Sequence, residues 1–224
     1  MAEPIMGVGG LVPQPCGFVN EAVEHVKKAG GLYLSDEVQT GFGRTGGHYW
    51  GFEMLGTKPD MVSMAKQMGN GFPLAAVAMT KEVANCLAPK ITFSTYGGNP
   101  IAMAAGREAL KVIDDEKLQE NSKNMGDIFL KGLNELKTKY KCIGDVRGTG
   151  MMIGMEMVND RESNLDPMDP AKFANIFEKS KDYGILLGKG GRYGNVFRIQ
   201  PPMCLNSGDV EFALHVIEKS IQES

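Results

Sequence analysis

An acid and an amine, Asp36 and Lys66, each follow a short apolar run of the kind that forms a buried strand. Ligands of open α/β sheets bind beyond the carboxyl ends of the strands, so we expect the two side chains at one sheet edge. Loss of solvation there would favour the neutral lysine amine, a nucleophile able to form a Schiff base. The carboxylate could keep a heteroaromatic ring nitrogen protonated. From spacing alone, a structural Asp–Lys ion pair is the alternative.

The elements that must position these residues alternate between helix and strand. Apolar spacing predicts a helix over 17–28, strands over 32–34 and 61–65 that lead to the acid and the amine, and a strand over 74–79. This alternation is typical of an α/β fold with parallel strand pairing.

The second half of the sequence has an α+β pattern. The expected elements are, in chain order, helices over 99–114 and 117–140, a turn over 145–150, a strand over 151–158, a helix over 169–184, strands over 185–187 and 196–199, and a last helix capped by Ser207. We expect a small antiparallel sheet under helices.

Composition excludes several classes of protein. The 224 residues are 42% hydrophobic and carry a net charge of −3, which argues against nucleic acid or an anionic membrane as the partner. No apolar stretch approaches the roughly 20 residues of a membrane helix. The four cysteines lack disulfide or metal spacing and favour a reducing compartment, and no metal site is predicted. The glycine-rich string at 188–194 lacks the dinucleotide pattern.

Several separate strings carry a family resemblance. They are LSDEVQTGFGRTG (34–46), PDMVSMAKQMGNGFPLAAV (59–77), STYGGNP (94–100), DVRGTGMMIGMEM (145–157) and FRIQPPMC (197–204). Their order and separation resemble the class III pyridoxal-phosphate aminotransferases of fold type I. Within that family the chain most resembles the mitochondrial alanine–glyoxylate branch.

The resemblance implies a role for each matching residue. Lys66 aligns with the lysine that forms the Schiff base with pyridoxal 5'-phosphate, and Asp36 with the carboxylate on the pyridine nitrogen. In an extended chain, Val38 would point to the same side as Asp36, two residues before it, and would pack on the ring of the cofactor. Gln39 aligns with the hydrogen-bond partner of the phenolic oxygen; without the match, it reads as an ordinary loop residue. Thr95 aligns with a residue that reaches the cofactor phosphate of the other subunit in a homodimer with shared active sites.

Arg198 stands alone in an apolar strand, where an unpaired charge is costly to bury. It is therefore exposed at an edge, paired structurally, or a clamp for a carboxylate. The resemblance implies that it faces the substrate carboxylate. Some relatives pair this arginine with a glutamate, but Val8 occupies the equivalent position here. The resemblance therefore implies less directly that Arg198 selects α-carboxylates over ω-amines.

The implied function is a transaminase that moves an amino group between an amino acid such as alanine and an oxo acid such as glyoxylate. One alternative is a truncated chain without independent activity, because family chains are longer and their phosphate-binding turn lies upstream. Another is the phospholyase branch, which acts on amino-alcohol phosphates and tends to carry a lysine where Arg198 stands. The implied fold is α/β, with part of a mostly parallel large domain (1–104) before a small α+β domain (105–224). Localisation by resemblance is mitochondrial, otherwise cytoplasmic.

Overall fold

The computed structural model describes residues 1–90 and 93–224, which fold into two compact units. The first unit comprises 1–4, 14–44 and 48–119, and the second comprises 5–13, 45–47 and 120–224. The chain therefore crosses between the units several times, whereas the domain boundary at 104 remains a prediction.

The helices and strands follow in chain order. They are β1 (Ile5–Met6), β2 (Val12–Pro13), α1 (Phe18–Lys28), β3 (Leu34–Asp36), α2 (Gly51–Met54), β4 (Met61–Met64), a 3-10 turn (Lys66–Met68), β5 (Ala76–Met79), α3 (Lys81–Leu87), α4 (Pro100–Asp115), α5 (Leu118–Lys139), β6 (Ile143–Thr149), β7 (Met152–Met157), α6 (Pro170–Asp182), β8 (Gly188–Gly190), β9 (Val196–Ile199) and α7 (Ser207–Gln222). No helix in the described part of the chain is long and apolar enough to cross a membrane.

The sheet of the first unit has the strand order β3–β4–β5. Strands β3 and β4 are parallel, with Asp36 opposite Ser63, while β5 runs antiparallel to β4. On the other edge of β3, Ala2 forms a parallel bridge with Ser35. The predicted parallel pair is thus confirmed: Asp36 ends β3, and Lys66 lies just beyond the end of β4.

The sheet of the second unit is fully antiparallel, with the order β6–β7–β9–β8. Apolar side chains of β7 and β9 pack against those of α5, α6 and α7 in one core. Phe197 of β9 stacks on Phe173 of α6, with ring centroids 4.2 Å apart. The small antiparallel sheet under helices is confirmed.

The predicted starts of two helices, at residues 99 and 169, are confirmed because their signals are local. Asn99 and Asp169 each precede a proline, and each side chain accepts hydrogen bonds from two amides of the first turn. The predicted cap of the last helix was wrong by one residue. Asn206 caps α7, and its side chain and that of Asp209 bond to each other's backbone amides.

Two predictions for the sheet of the second unit were wrong, one for a segment that contains glycines and one for a segment next to the glycines of β8. The segment 145–150, predicted as a turn, forms most of β6, since Gly148 allows the close approach of β7 that a side chain would block. The segment 185–187, predicted as a strand, precedes the observed strand Gly188–Gly190. Pairing with β9 therefore uses the glycines of β8 and leaves Leu186 exposed.

Candidate active site

Asp36 is held at the end of β3 through one oxygen of its carboxylate. Its Oδ1 accepts hydrogen bonds from the Val38 amide and the Ser63 hydroxyl, both at 3.1 Å. Within the described residues no hydrogen bond reaches Oδ2. Asp36 is half-buried, so its carboxylate is fixed in direction while one oxygen stays available for a donor.

The residues after Asp36 form a turn, which corrects the prediction that Val38 continues an extended chain. The bond from the Val38 amide to the Asp36 carboxylate closes this turn, a habit of aspartate that competes with strand structure. Val38 and Gln39 are both half-buried in it. The Gln39 carbonyl accepts a hydrogen bond of 3.1 Å from the side chain of Gln67. Gln67, which the sequence did not single out, therefore ties the two strand-end loops together.

Lys66 has a left-handed backbone conformation, with φ of 48°. This conformation is uncommon for a residue with a side chain, and such strain concentrates at functional sites. The carbonyl of Lys66 accepts bonds from the amides of Gly69 at 3.0 Å and Asn70 at 2.9 Å, which hold the turn. Helix α4 packs against the same turn, since a Cβ on Gly106 would lie 3.2 Å from the Met68 carbonyl oxygen.

The side chain of Lys66 is exposed, so the expected loss of solvation is not found in this structure. The structural ion pair is not found either. Asp36 and Lys66 lie beyond adjacent parallel strands, yet no salt bridge within 4.0 Å joins either one to a residue that the structure describes. The structure thus brings an acid and an amine to the same sheet edge and leaves both charges without a described counter-charge.

Glu37 is a structural residue of this edge, for which the sequence indicated no role in the site. Its side chain is fully buried, at 0% exposure. Its two oxygens accept hydrogen bonds from the Thr40 hydroxyl at 2.5 Å, the Gly51 amide at 2.7 Å, the Phe52 amide at 2.8 Å and the Ser35 hydroxyl at 3.1 Å. Glu37 therefore fixes the loop of Asp36 to the start of α2. The only sequence signal was an acid next to a buried strand.

Thr95 lies in the first unit, exposed in a turn over 95–98. Gly98 closes this turn with φ of 69°, a conformation that suits glycine. The predicted contact of Thr95 with a cofactor phosphate stays a prediction.

Arg198 lies in the second unit on β9, an inner strand between β7 and β8. It is half-buried, which excludes the exposed edge position among the predicted alternatives. Its Nη2 donates to the side-chain oxygen of Gln200 at 2.7 Å. Arg198 also lines a cavity of about 530 Å³, whose other walls are mainly apolar and include Leu187, Pro201 and Phe212. A cation at the wall of an apolar cavity suits a small carboxylate ligand.

Parallel strands that bring an acid and a lysine to their carboxyl edge are typical of ligand sites in α/β proteins, where a lysine amine can act as a nucleophile. The family follows from comparison with known sequences. The chain belongs to the class III aminotransferases, whose family description, "Aminotransferase class-III", matches residues 1–221. Class III aminotransferases in general use pyridoxal phosphate.

Curated relatives resemble the chain along its whole length. Alanine–glyoxylate aminotransferase 2 homolog 2, mitochondrial, of Arabidopsis thaliana is 46% identical over 223 residues, which cover 100% of this chain and 46% of the relative. Alanine–glyoxylate aminotransferase 2, mitochondrial, of Homo sapiens is 46% identical, over 99% of this chain and 43% of the relative. The chain thus spans just under half the length of these relatives.

Solved structures match the fold. A phospholyase from Arthrobacter in complex with phosphoethanolamine is 32% identical with a TM-score of 0.94, over 99% of this chain and 52% of that one. An S-selective transaminase from Arthrobacter with alanine bound is 32% identical with a TM-score of 0.88, over 99% of this chain and 50% of that one. These matches confirm the predicted fold class, part of a fold type I aminotransferase.

Proposed function

We propose that this chain supplies the lysine, the ring-nitrogen acid and the carboxylate-binding arginine of a pyridoxal-phosphate transaminase. The reaction moves an amino group between an amino acid such as alanine and an oxo acid such as glyoxylate. The single observation that carries the proposal is the pair Asp36 and Lys66, at the carboxyl ends of adjacent parallel strands and not paired with each other. Family membership and the names of the relatives support the reaction class.

The residues of the first unit fit pyridoxal phosphate. The Oδ2 of Asp36 is the acceptor that a protonated pyridine nitrogen requires, because hydrogen bonds from the chain engage Oδ1. When bound, the cofactor supplies an electron sink that stabilises negative charge at the substrate Cα. Val38 would pack on the ring, Gln39 would donate to the phenolic oxygen, and Thr95 would bind the phosphate in the other subunit of a homodimer.

Lys66 has the chemistry for two tasks in this proposal. Its amine would be the nucleophile that holds the carbonyl group of the cofactor, and the free amine would be the base that holds a proton taken from the substrate Cα. The left-handed backbone at Lys66 fixes the direction in which the side chain leaves the turn.

Arg198 binds the substrate carboxylate in this proposal. A guanidinium offers two parallel donors that match the two oxygens of a carboxylate. The preference for an amino acid over a simple amine would come from this pairing. A large domain ending near residue 104, a homodimer and a mitochondrial location complete the proposal by analogy with the family and the names of the relatives.

Cofactor attachment can be tested on the chain as it stands. Incubation with pyridoxal phosphate, reduction with borohydride and peptide mass spectrometry should place the cofactor on Lys66. Lys66→Ala should abolish the label, and Lys58→Ala, which removes another lysine of the same unit, should retain it. Labelling spread over many lysines and equal in Lys66→Ala would refute the assignment. Attachment without turnover would favour the alternative of a chain without independent activity.

The phospholyase is the second candidate because an ethanolamine-phosphate phospho-lyase homolog of Caenorhabditis elegans is 43% identical over 93% of this chain, and the phosphoethanolamine-bound phospholyase matches the fold as well as a transaminase does, with TM-scores of 0.94 and 0.93. The two reactions release different products. Ethanolamine phosphate should yield inorganic phosphate with a phospholyase, whereas alanine plus glyoxylate should yield pyruvate and glycine with a transaminase. Phosphate release without pyruvate formation would replace the proposed function by the alternative.

A further inference from the structure

We propose that Gly190 and the carbonyl of Val8 form a slot that positions the side chain of Arg198, and that this slot determines how tightly an α-carboxylate binds. The inference rests on the proposed function for its ligand, and on the geometry of the second unit for the slot itself. Gly190 is a positioning residue here, since it would act through Arg198.

Glycines surround Arg198 on the neighbouring strands. Gly154 of β7 and Gly188 of β8 are its cross-strand partners in the sheet. A Cβ on Gly188 would lie 3.2 Å from the Cβ of Arg198. The arginine side chain therefore has no neighbouring side chain at these two positions, and its stem can lie along the sheet surface.

Gly190 is the tightest of these positions. A Cβ placed there would lie 2.5 Å from the Cδ of Arg198 and 2.8 Å from the carbonyl oxygen of Val8. Gly190 does not have a positive φ, so its backbone conformation does not require glycine. The space taken by the Arg198 stem and the Val8 carbonyl is thus what excludes a side chain.

The Val8 wall of the slot is itself anchored. The Val8 carbonyl accepts a hydrogen bond of 3.0 Å from the Gly191 amide. Two residues further on, the Gly10 carbonyl accepts a bond of 3.0 Å from Nε of Arg147. Arg147 in turn donates from Nη1 to Asp145 at 2.9 Å and to Glu156 at 2.7 Å. The loop between β1 and β2 is therefore held to the sheet on both sides of Val8.

The slot and Gln200 act on opposite ends of the arginine. The slot confines the stem at Cδ, and the Gln200 side chain holds Nη2 at 2.7 Å. Confinement at both ends reduces the rotamer freedom that carboxylate binding would otherwise have to restrict. The position that some family members give to a glutamate is occupied here by Val8, whose backbone oxygen serves as the wall.

Gly190→Ala tests the slot with one methyl group, and Gly47→Ala is the matched control. Gly47 is in the same unit and has no positive φ, and a Cβ added to it would meet nothing within 4 Å. The first readout is the ¹⁵Nε–¹H resonance of Arg198, assigned through its loss in Arg198→Lys. It should shift in Gly190→Ala and stay unchanged in Gly47→Ala. An unchanged resonance in folded Gly190→Ala would overturn the inference, whatever the ligand.

The second readout is steady-state kinetics. Gly190→Ala should raise KM for alanine about tenfold with kcat changed less than about twofold, since Arg198 binds the part of the substrate that does not react. KM for isopropylamine, which lacks a carboxylate, should stay the same. An equal rise for both amines would overturn the proposed role in carboxylate binding.

The two readouts separate the failure of this inference from failure of the proposed function. If the protein without substitutions fails to transaminate alanine, the proposed function is wrong. The Arg198 resonance still decides whether the slot exists. If Gly190→Ala does not fold, Arg147→Lys loosens the Val8 wall from the other side by removing the Nε donor to Gly10. It should then shift the Arg198 resonance, and an unchanged resonance would overturn the inference.

Discussion

An isosteric replacement of Glu37 should be costly, because this side chain is fully buried and accepts four hydrogen bonds. Glu37→Gln keeps the shape of the side chain and exchanges one carboxylate oxygen for an amide nitrogen. Either oxygen accepts from one hydroxyl and one backbone amide. In either orientation of the glutamine amide, its NH₂ group faces the backbone N–H of Gly51 or that of Phe52. Two donors then meet, and no hydrogen bond can form between them.

The size of the effect follows from these bonds. A hydrogen bond to a charged group contributes about 1.5–3 kcal/mol, and a buried amide left without an acceptor costs about 1–3 kcal/mol. The hydroxyl that donated to the replaced oxygen can rotate and accept a hydrogen bond from the new NH₂ group, but the backbone amide can only donate. The two bonds to the remaining oxygen change from charged to neutral acceptors and weaken. We expect Glu37→Gln to lower the free energy of unfolding by about 2–4 kcal/mol.

Urea unfolding and amide hydrogen exchange measure this effect. The amides of Gly51 and Phe52 should exchange about 30- to 800-fold faster in Glu37→Gln, the factor that corresponds to about 2–4 kcal/mol. Glu24→Gln is the control, because Glu24 is 70% exposed and pairs with Lys28 only at 3.9 Å. The control should change stability by less than about 0.5 kcal/mol. If Glu37→Gln matched the control, the burial argument would be wrong.

Three further changes should act in the second unit. Gly126→Ala should cost about 2 kcal/mol or more despite the better helix propensity of alanine, since its Cβ would lie 2.6 Å from backbone atoms of Gly150; thermal unfolding measures this. Phe197→Ala should cost about 3–5 kcal/mol in urea unfolding, because the ring is fully buried. The third change concerns Asp145: burial opposes its ionisation, but the hydrogen bond and charge of Arg147 outweigh burial and hold its pKa below the ordinary value. Its contribution is therefore present above about pH 4 and is lost as the pH falls, so the difference in stability from Asp145→Asn should shrink between pH 7 and pH 3.

Each of these changes has a control that differs in one property. Gly132→Ala also enlarges a glycine of α5, but its new Cβ would meet the flexible side chain of Leu214, so the loss should be smaller than for Gly126→Ala. Phe212→Ala removes a ring that is 52% exposed and should cost less than half as much as Phe197→Ala. Equal losses within either pair would refute the packing argument. A pH-independent difference for Asp145→Asn would refute the ion-pair argument.

The sequence predicted those features that depend on neighbours in the chain. Asn99 and Asp169 could be placed at helix starts because each is followed directly by a proline. Asp36 and Lys66 could be placed at strand ends because each follows its own apolar run. The pairing of the two strands followed from the general preference for parallel sheets in α/β folds.

Features that depend on distant partners could not be predicted. The amide partners of Glu37 lie 14 and 15 residues away, and no local pattern connects them. The close contact of Gly190 with Arg198 exists only because β8 and β9 pair in one register. Glycine in a sequence indicates either a turn or a close approach; at 145–150 the sequence predicts a turn, but the structure shows a close approach of two strands.

The separation of Asp36 from Lys66 has a consequence for the chemistry. Opposite charges on neighbouring strand ends would stabilise each other if they met, and the ion pair would then compete with any ligand. Asp36 is instead held by two neutral donors, the Val38 amide and the Ser63 hydroxyl. The turn that holds Lys66 in a left-handed conformation uses backbone bonds. Because neutral groups position both residues, a ligand that engages either the acid or the amine does not first have to break an ion pair between them.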